Sequence, residues 1–115
     1  AEAGVDAIVV SNHGGRVLDF APGAADVLEA IADAVKDKVT ILADGGVRSG
    51  GDVLKLLALG ADAVMIGRPI SVAAVGGLQQ GVESYLSKIK GELIQSMVLT
   101  GTTSTSMVSK DILHA

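Results

Sequence analysis

Three short apolar runs interrupt the first two thirds of the chain, and each stops abruptly at a polar, glycine-rich stretch that carries an arginine. Ala7-Ile8-Val9-Val10 gives way to Ser11-Asn12-His13-Gly14-Gly15-Arg16. Val39-Thr40-Ile41-Leu42-Ala43 gives way to Asp44-Gly45-Gly46-Val47-Arg48-Ser49-Gly50-Gly51. Ala63-Val64-Met65-Ile66 gives way to Gly67-Arg68-Pro69. Wholly apolar, β-branched runs of this length suit strands buried on both faces, as in a parallel sheet. Between the runs the spacing turns helical. From Ala24 to Asp37, Val27, Leu28, Ile31 and Val35 share a face, with Asp26, Glu29, Asp33 and Lys36 largely outside it. Asp52 to Leu59 reads as a second helix, closed by Gly60. Gly76 to Leu99 reads as a third, with Leu78, Val82, Leu86, Ile89, Leu93 and Met97 along one face and Gly101 at its end. Val17 to Gly23 is a loop. Residues 102–115, rich in Thr and Ser, form a tail with a short helical turn expected near its end.

Gly4-Val5-Asp6-Ala7-Ile8-Val9-Val10 recurs as Gly60-Ala61-Asp62-Ala63-Val64-Met65-Ile66. The repeat is consistent with a fold built from βα units. Strand and helix in alternation imply parallel strands joined by right-handed crossovers. Three such units fit a doubly wound sheet or part of a (β/α)₈ barrel. A whole barrel takes about 250 residues, so a chain of 115 residues supplies less than half of one. Ala1-Glu2-Ala3-Gly4 reads as the end of a helix with its terminating glycine. The chain is therefore expected to enter a larger fold partway through.

Composition narrows the function. A net charge of −4 without a basic cluster argues against a nucleic-acid partner. Phe20 and Tyr85 are the only aromatic residues, which leaves no broad surface for stacking bases. The absence of cysteine removes disulfides and thiolate metal sites. No apolar run approaches the ~20 residues that span a bilayer, and a cytoplasmic location is the expectation.

The arginines then point to a ligand. All three, Arg16, Arg48 and Arg68, follow an expected strand, and none lies within an expected helix. In parallel α/β folds ligands bind at the carboxyl ends of the strands. A guanidinium is suited to forked binding of carboxylate or phosphate. Three arginines at adjacent strand ends imply an anionic ligand, unless each pairs with a nearby acid such as Asp19 or Asp44. His13 adds an imidazole, suited to proton transfer near neutral pH. His114, in the tail, reads as a solvated residue. Asp6 and Asp62 fall at the opposite ends of the strands and read as structural, and Asp52 reads as part of a helix start.

Ser11-Asn12-His13-Gly14-Gly15-Arg16, Asp44-Gly45-Gly46-Val47-Arg48 and Gly67-Arg68-Pro69, in that order and spacing, resemble the FMN-dependent 2-hydroxy-acid oxidase and dehydrogenase family. Glycolate oxidase, lactate oxidase and the flavin-dependent lactate and mandelate dehydrogenases are members. The resemblance runs from Gly4 to about Gly101, and its most specific part is His-Gly-Gly-Arg. It implies a (β/α)₈ barrel fold, with this chain as the last three βα units, strands 6–8 with their helices. It also implies FMN as cofactor, and a small L-2-hydroxy acid of lactate or glycolate type as substrate. The N-terminal remainder of the barrel becomes a partner, and a homo-oligomer is expected. By the same resemblance His13 matches the active-site base, taking a proton from the α-carbon or from the hydroxyl. Arg16 matches the clamp on the substrate carboxylate. Ser11 matches a flavin contact and Asp44 an acid on the ribityl chain. Gly45, Gly46, Val47 and Arg48 match the loop around the phosphate, which Gly67 and Arg68 complete.

Two other readings fit parts of the sequence. Barrels like inosine monophosphate dehydrogenase carry a near-identical Asp-Gly-Gly and Ser-Gly-Gly-Asp stretch that binds a nucleotide phosphate. They use a catalytic cysteine, which this chain lacks. A non-catalytic half-barrel would bind phosphate or self-associate to cover its open sheet edges.

Overall fold

The computed structural model describes residues 1–35 and 37–114. In it the three apolar runs lie side by side in one parallel sheet. β1 (Ala7–Val10), β2 (Thr40–Ala43) and β3 (Ala63–Val64) stand in that order. Ala7 pairs with Thr40 and Val10 with Ala43, while Leu42 and Ala43 pair on their other side with Ala63 and Val64. The two connections contain α1 (Ala24–Val35) and α2 (Gly50–Ala58).

This register decides which side chains meet. Ile8, Val10, Ile41, Ala43 and Val64 point to one face, because side chains alternate along a strand and the pairing keeps them abreast. They join Leu28 and Ala32 of α1 and Leu56 of α2 in a single apolar cluster, in which Leu28 is fully buried. Both connecting helices thus cover the same side of the sheet. That is the arrangement of a barrel segment, since a doubly wound sheet carries helices on both faces. The other face stays open, and Val9 is 51% exposed there. The expectation of strands buried on both faces is met on one face only. Apolar runs report that a strand can be covered, not which of its faces this chain covers.

The element boundaries also shift. α1 ends at Val35, two residues short of the expected Asp37, which turns into the left-handed region at φ +64°; Lys36 lies outside the described residues. β2 starts at Thr40, not Val39, and β3 stops at Val64, short of Met65-Ile66. α2 starts earlier than expected, at Gly50, because Ser49 and Asp52 form a reciprocal cap. Ser49 Oγ accepts the Asp52 amide at 3.2 Å, and Asp52 Oδ2 accepts the Ser49 amide at 3.0 Å. Ala1 to Gly4 forms a turn, with the Gly4 amide donating to the Ala1 carbonyl at 3.0 Å and Gly4 in the left-handed region at φ +78°, the backbone a helix-terminating glycine adopts.

The largest correction concerns the last helix. α3 (Arg68–Thr100) begins eight residues before the expected Gly76, with Pro69 in its first turn, where the missing N–H has no helical partner to lose. It then breaks at Gly77 and Leu78, whose φ/ψ of −152°/16° and 48°/−138° leave the helical region. The break turns Leu78 out to solvent, and of the expected apolar stripe only Ile89 is buried. Beyond the break α3 packs on α2. A Cβ on Gly50 would stand 2.0 Å from the Leu93 nitrogen and 2.5 Å from the Ile89 oxygen, so the two backbones meet there without room for a side chain. Asp62 ties the strands at their amino ends, its Oδ2 accepting the Ile41 amide at 2.7 Å. The tail carries the expected short turn at Lys110–Ile112, and Lys110 pairs with Glu29 of α1. Among the described residues no helix is long and apolar enough to cross a membrane.

Candidate active site

The carboxyl end of β1 turns through three successive residues in the left-handed region: His13 at φ +53°, Gly14 at +69° and Gly15 at +69°. Glycine adopts this backbone freely, whereas an L-residue such as histidine is strained there by about 1–2 kcal/mol. Two neighbours hold the turn. Ser11 Oγ accepts the His13 amide at 3.0 Å, and Asn12 Oδ1 accepts the Gly14 amide at 3.0 Å. Asn12 also donates from Nδ2 to the Pro22 carbonyl at 3.3 Å, which fastens the start of the loop to its end. The sequence places Asn12 inside the motif without a task. Its position directly after the strand, before two glycines, is the signal for a turn-forming asparagine. A strained, hydrogen-bonded turn aims the His13 side chain from an exposed position.

All ten residues singled out from the sequence line one open cleft of about 340 Å³ at the carboxyl ends of the strands. They are Ser11, His13, Arg16, Asp44, Gly45, Gly46, Val47, Arg48, Gly67 and Arg68. Gly14 sits among them, and its missing side chain matters. A Cβ there would stand 3.4 Å from Arg68 Nη2 and 3.9 Å from Arg16 Cγ, so both arginines reach the histidine turn. Among the described residues none of the three arginines forms an ion pair; the two present are Lys88 with Glu92 and Lys110 with Glu29. Asp19 instead accepts the Phe20 amide at 2.9 Å. The pairing of arginines with nearby acids, the bland alternative, is not what the structure holds.

The loop after β2 presents further unpaired groups. Asp44 Oδ1 is buried and has no hydrogen-bond partner. The Gly46 and Val47 amides bond to no other described backbone group. Arg48 Nη1 donates to the Val47 carbonyl at 3.0 Å, which folds its side chain back over the loop. Asp52 serves the start of α2, as expected. It accepts the Arg48 and Ser49 amides, both at 3.0 Å. Burial alone would raise its carboxyl, but these amides, the Ser49 hydroxyl and Lys55 outweigh that and hold it below its ordinary value. Two residues of α3, Tyr85 and Glu92, reach the back of the same loop. Tyr85 Oη donates to the Arg48 carbonyl at 3.3 Å, and Glu92 Oε2 accepts the Gly50 amide at 2.9 Å. Nothing in the local sequence marks either one, because their partners lie 37 and 42 positions away. Chemically the cleft combines one imidazole, three arginines that form no ion pair among the described residues, and a carboxylate oxygen without a hydrogen-bond partner. It suits a ligand with two anionic groups and hydroxyls between them.

Known proteins are similar to this chain over nearly its whole length. An L-lactate dehydrogenase of Xanthomonas campestris pv. campestris is 54% identical over 110 residues, covering 96% of this chain and 28% of that protein. One from Xanthomonas oryzae pv. oryzae shows the same identity and coverage. Among solved structures, mandelate oxidase with (S)-2-phenylpropionate superposes with a TM-score of 0.91 at 45% identity, over 95% of this chain and 33% of that one. A mandelate oxidase variant with a monooxide FMN adduct gives 0.84 at 44% identity, over 96% of this chain and 33% of that one. The chain therefore spans less than a third of the curated relatives it matches. The family model for FMN-dependent dehydrogenase matches residues 1–115, and the chain belongs to that family.

Proposed function

We propose that this chain is the part of an FMN-dependent enzyme that oxidises a small L-2-hydroxy acid, of lactate or glycolate type, to the 2-oxo acid. It acts within a complete barrel, as its last three βα units; the open sheet face around Val9 suits packing against the remainder. The observation that carries the reading is the convergence of His13 and three unpaired arginines on one strand-end cleft.

FMN, the cofactor of the family, fits the unsatisfied groups. Its ribityl hydroxyls match the buried, unpartnered Asp44 Oδ1, and Ser11, which also lines the cleft, would contact the flavin. Its phosphate matches the free amides of Gly46 and Val47, beside Gly45 and Gly67, with the Arg48 and Arg68 guanidiniums. When bound, FMN supplies the two-electron acceptor that no side chain here provides.

The remaining work belongs to the chain. Conversion of CH–OH to C=O releases two protons and two electrons. His13 takes one of those protons, the other would go with the electron pair to the flavin, and the strained turn fixes where the imidazole points. Arg16 binds the substrate carboxylate through two parallel N–H···O bonds, which holds C2 in one orientation. The test is anaerobic mixing of the flavin-loaded enzyme with L-lactate and with glycolate. Loss of the visible flavin band with formation of the 2-oxo acid is expected. His13→Gln should keep the flavin and slow its bleaching by about 10²-fold or more. Bleaching at the unaltered rate removes His13 from the mechanism, and no bleaching with any 2-hydroxy acid refutes the reaction.

A further inference from the structure

Resting on the assignment of the loop after β2 to the FMN phosphate, we infer that Glu92 is a positioning residue for the cofactor. It acts through the backbone of Gly50, from the side of the loop away from the cleft. Its Oε2 accepts the Gly50 amide at 2.9 Å, and Gly50 is buried. Its Oε1 lies 3.5 Å from Lys88 Nζ, which orients the carboxylate.

Three neighbouring amides at the start of α2 are already taken. Asp52 takes those of Arg48 and Ser49, and Ser49 Oγ takes that of Asp52. With Glu92 on Gly50, the chain's own groups occupy four of the five amides from Arg48 to Asp52, and among the described residues only that of Gly51 is left to an anion at the helix start. A phosphate is thereby directed to the other side of the loop, toward Gly46, Val47 and the arginines. The loop itself is held by Asp52 at its own helix start and by α3. A Cβ on Gly50 would collide with the α3 backbone, so the contact leaves no slack, and Tyr85 adds a second tie at the Arg48 carbonyl. A loop held in place before the ligand arrives binds it without a further ordering cost. Glu92 therefore sets the preference for FMN over riboflavin, which lacks the phosphate.

The test titrates FMN and riboflavin separately into flavin-free complete enzyme and compares the ratio of their dissociation constants. Glu92→Ala should weaken FMN about tenfold, ~1.4 kcal/mol, and leave riboflavin unchanged within about twofold. Glu92→Gln keeps a carbonyl oxygen for the Gly50 amide and should restore the ratio. A merely structural role would lower both affinities together, and that result overturns the inference, as does an unchanged ratio. If Glu92→Ala does not accumulate folded, Glu92→Asp draws the acceptor back by one methylene and should shift the ratio in the same direction. Arg48→Met separates the two levels. A ratio that falls with Arg48→Met but not with the Glu92 variants sinks this inference alone. A ratio that Arg48→Met leaves untouched sinks the phosphate assignment beneath it.

Discussion

Gly50 and Gly51 are adjacent residues of one helix, yet they should respond oppositely to the same methyl group. A Cβ on Gly50 would lie 2.0 Å from the Leu93 nitrogen, 2.5 Å from the Glu92 carbonyl carbon and 2.5 Å from the Ile89 oxygen. Every one of these is backbone of α3, so no rotamer change relieves the clash. α2 and α3 must separate by more than an ångström, about the shortfall from an ordinary carbon contact. Overpacking of this kind costs 1–3 kcal/mol where side chains can yield. Here they cannot, and Gly50→Ala should cost about 3 kcal/mol or more. A Cβ on Gly51 meets only the Ser49 and Ser96 hydroxyl oxygens, both at 3.7 Å. Alanine is favoured over glycine in a helix by up to about 1 kcal/mol, so Gly51→Ala should be neutral or slightly stabilising. Urea denaturation of the flavin-free complete enzyme, with the slopes compared, measures both. The reasoning fails if the two variants lie within about 1 kcal/mol of each other.

Two further outcomes follow from the site. Arg16→Lys should raise the KM for the 2-hydroxy acid at least tenfold while the FMN dissociation constant moves less than about twofold, because an ammonium cannot reproduce the forked contact; flavin loss would reassign Arg16. Asp52 has a folded-state carboxyl lowered below its ordinary value, so its contribution is complete above the unfolded pKa and is lost as the pH falls through the folded one. Asp52→Asn should therefore cost about 1 kcal/mol near neutrality and flatten the acid limb of the stability profile below about pH 4. An unchanged acid limb in a denaturation series would remove Asp52 from that role.

The strand ends were the most legible part of the chain. Ala43 to Asp44 and Val10 to Ser11 change from apolar to polar in one step, and a parallel sheet puts such steps in one plane. That is why the ten expected site residues fall in one cleft. The last helix was less legible for a specific reason. Pro69 after a strand looks like a terminator, yet at the first turn of a helix it is a good starter, and only the fold distinguishes the two. The Gly76-Gly77 pair did carry a signal for the break that the apolar stripe overrode. Exposure of Val9 could not be read from an all-apolar run. The contacts of Tyr85 and Glu92 had no sequence signature, since hydrogen bonds to a backbone amide or carbonyl leave no pattern at the partner's position.

The central claim is that this strand-end cleft holds the phosphate of FMN on one side and the substrate carboxylate on the other. A crystal structure of the complete enzyme with FMN and a 2-oxo acid product tests it most directly. The account predicts phosphate oxygens within about 3 Å of the Gly46 and Val47 amides and of the Arg48 and Arg68 guanidiniums, with a ribityl hydroxyl on Asp44. It predicts the product carboxylate on Arg16, beside His13. A phosphate seated on the amides of Gly50 and Gly51, or a carboxylate remote from Arg16, would contradict it.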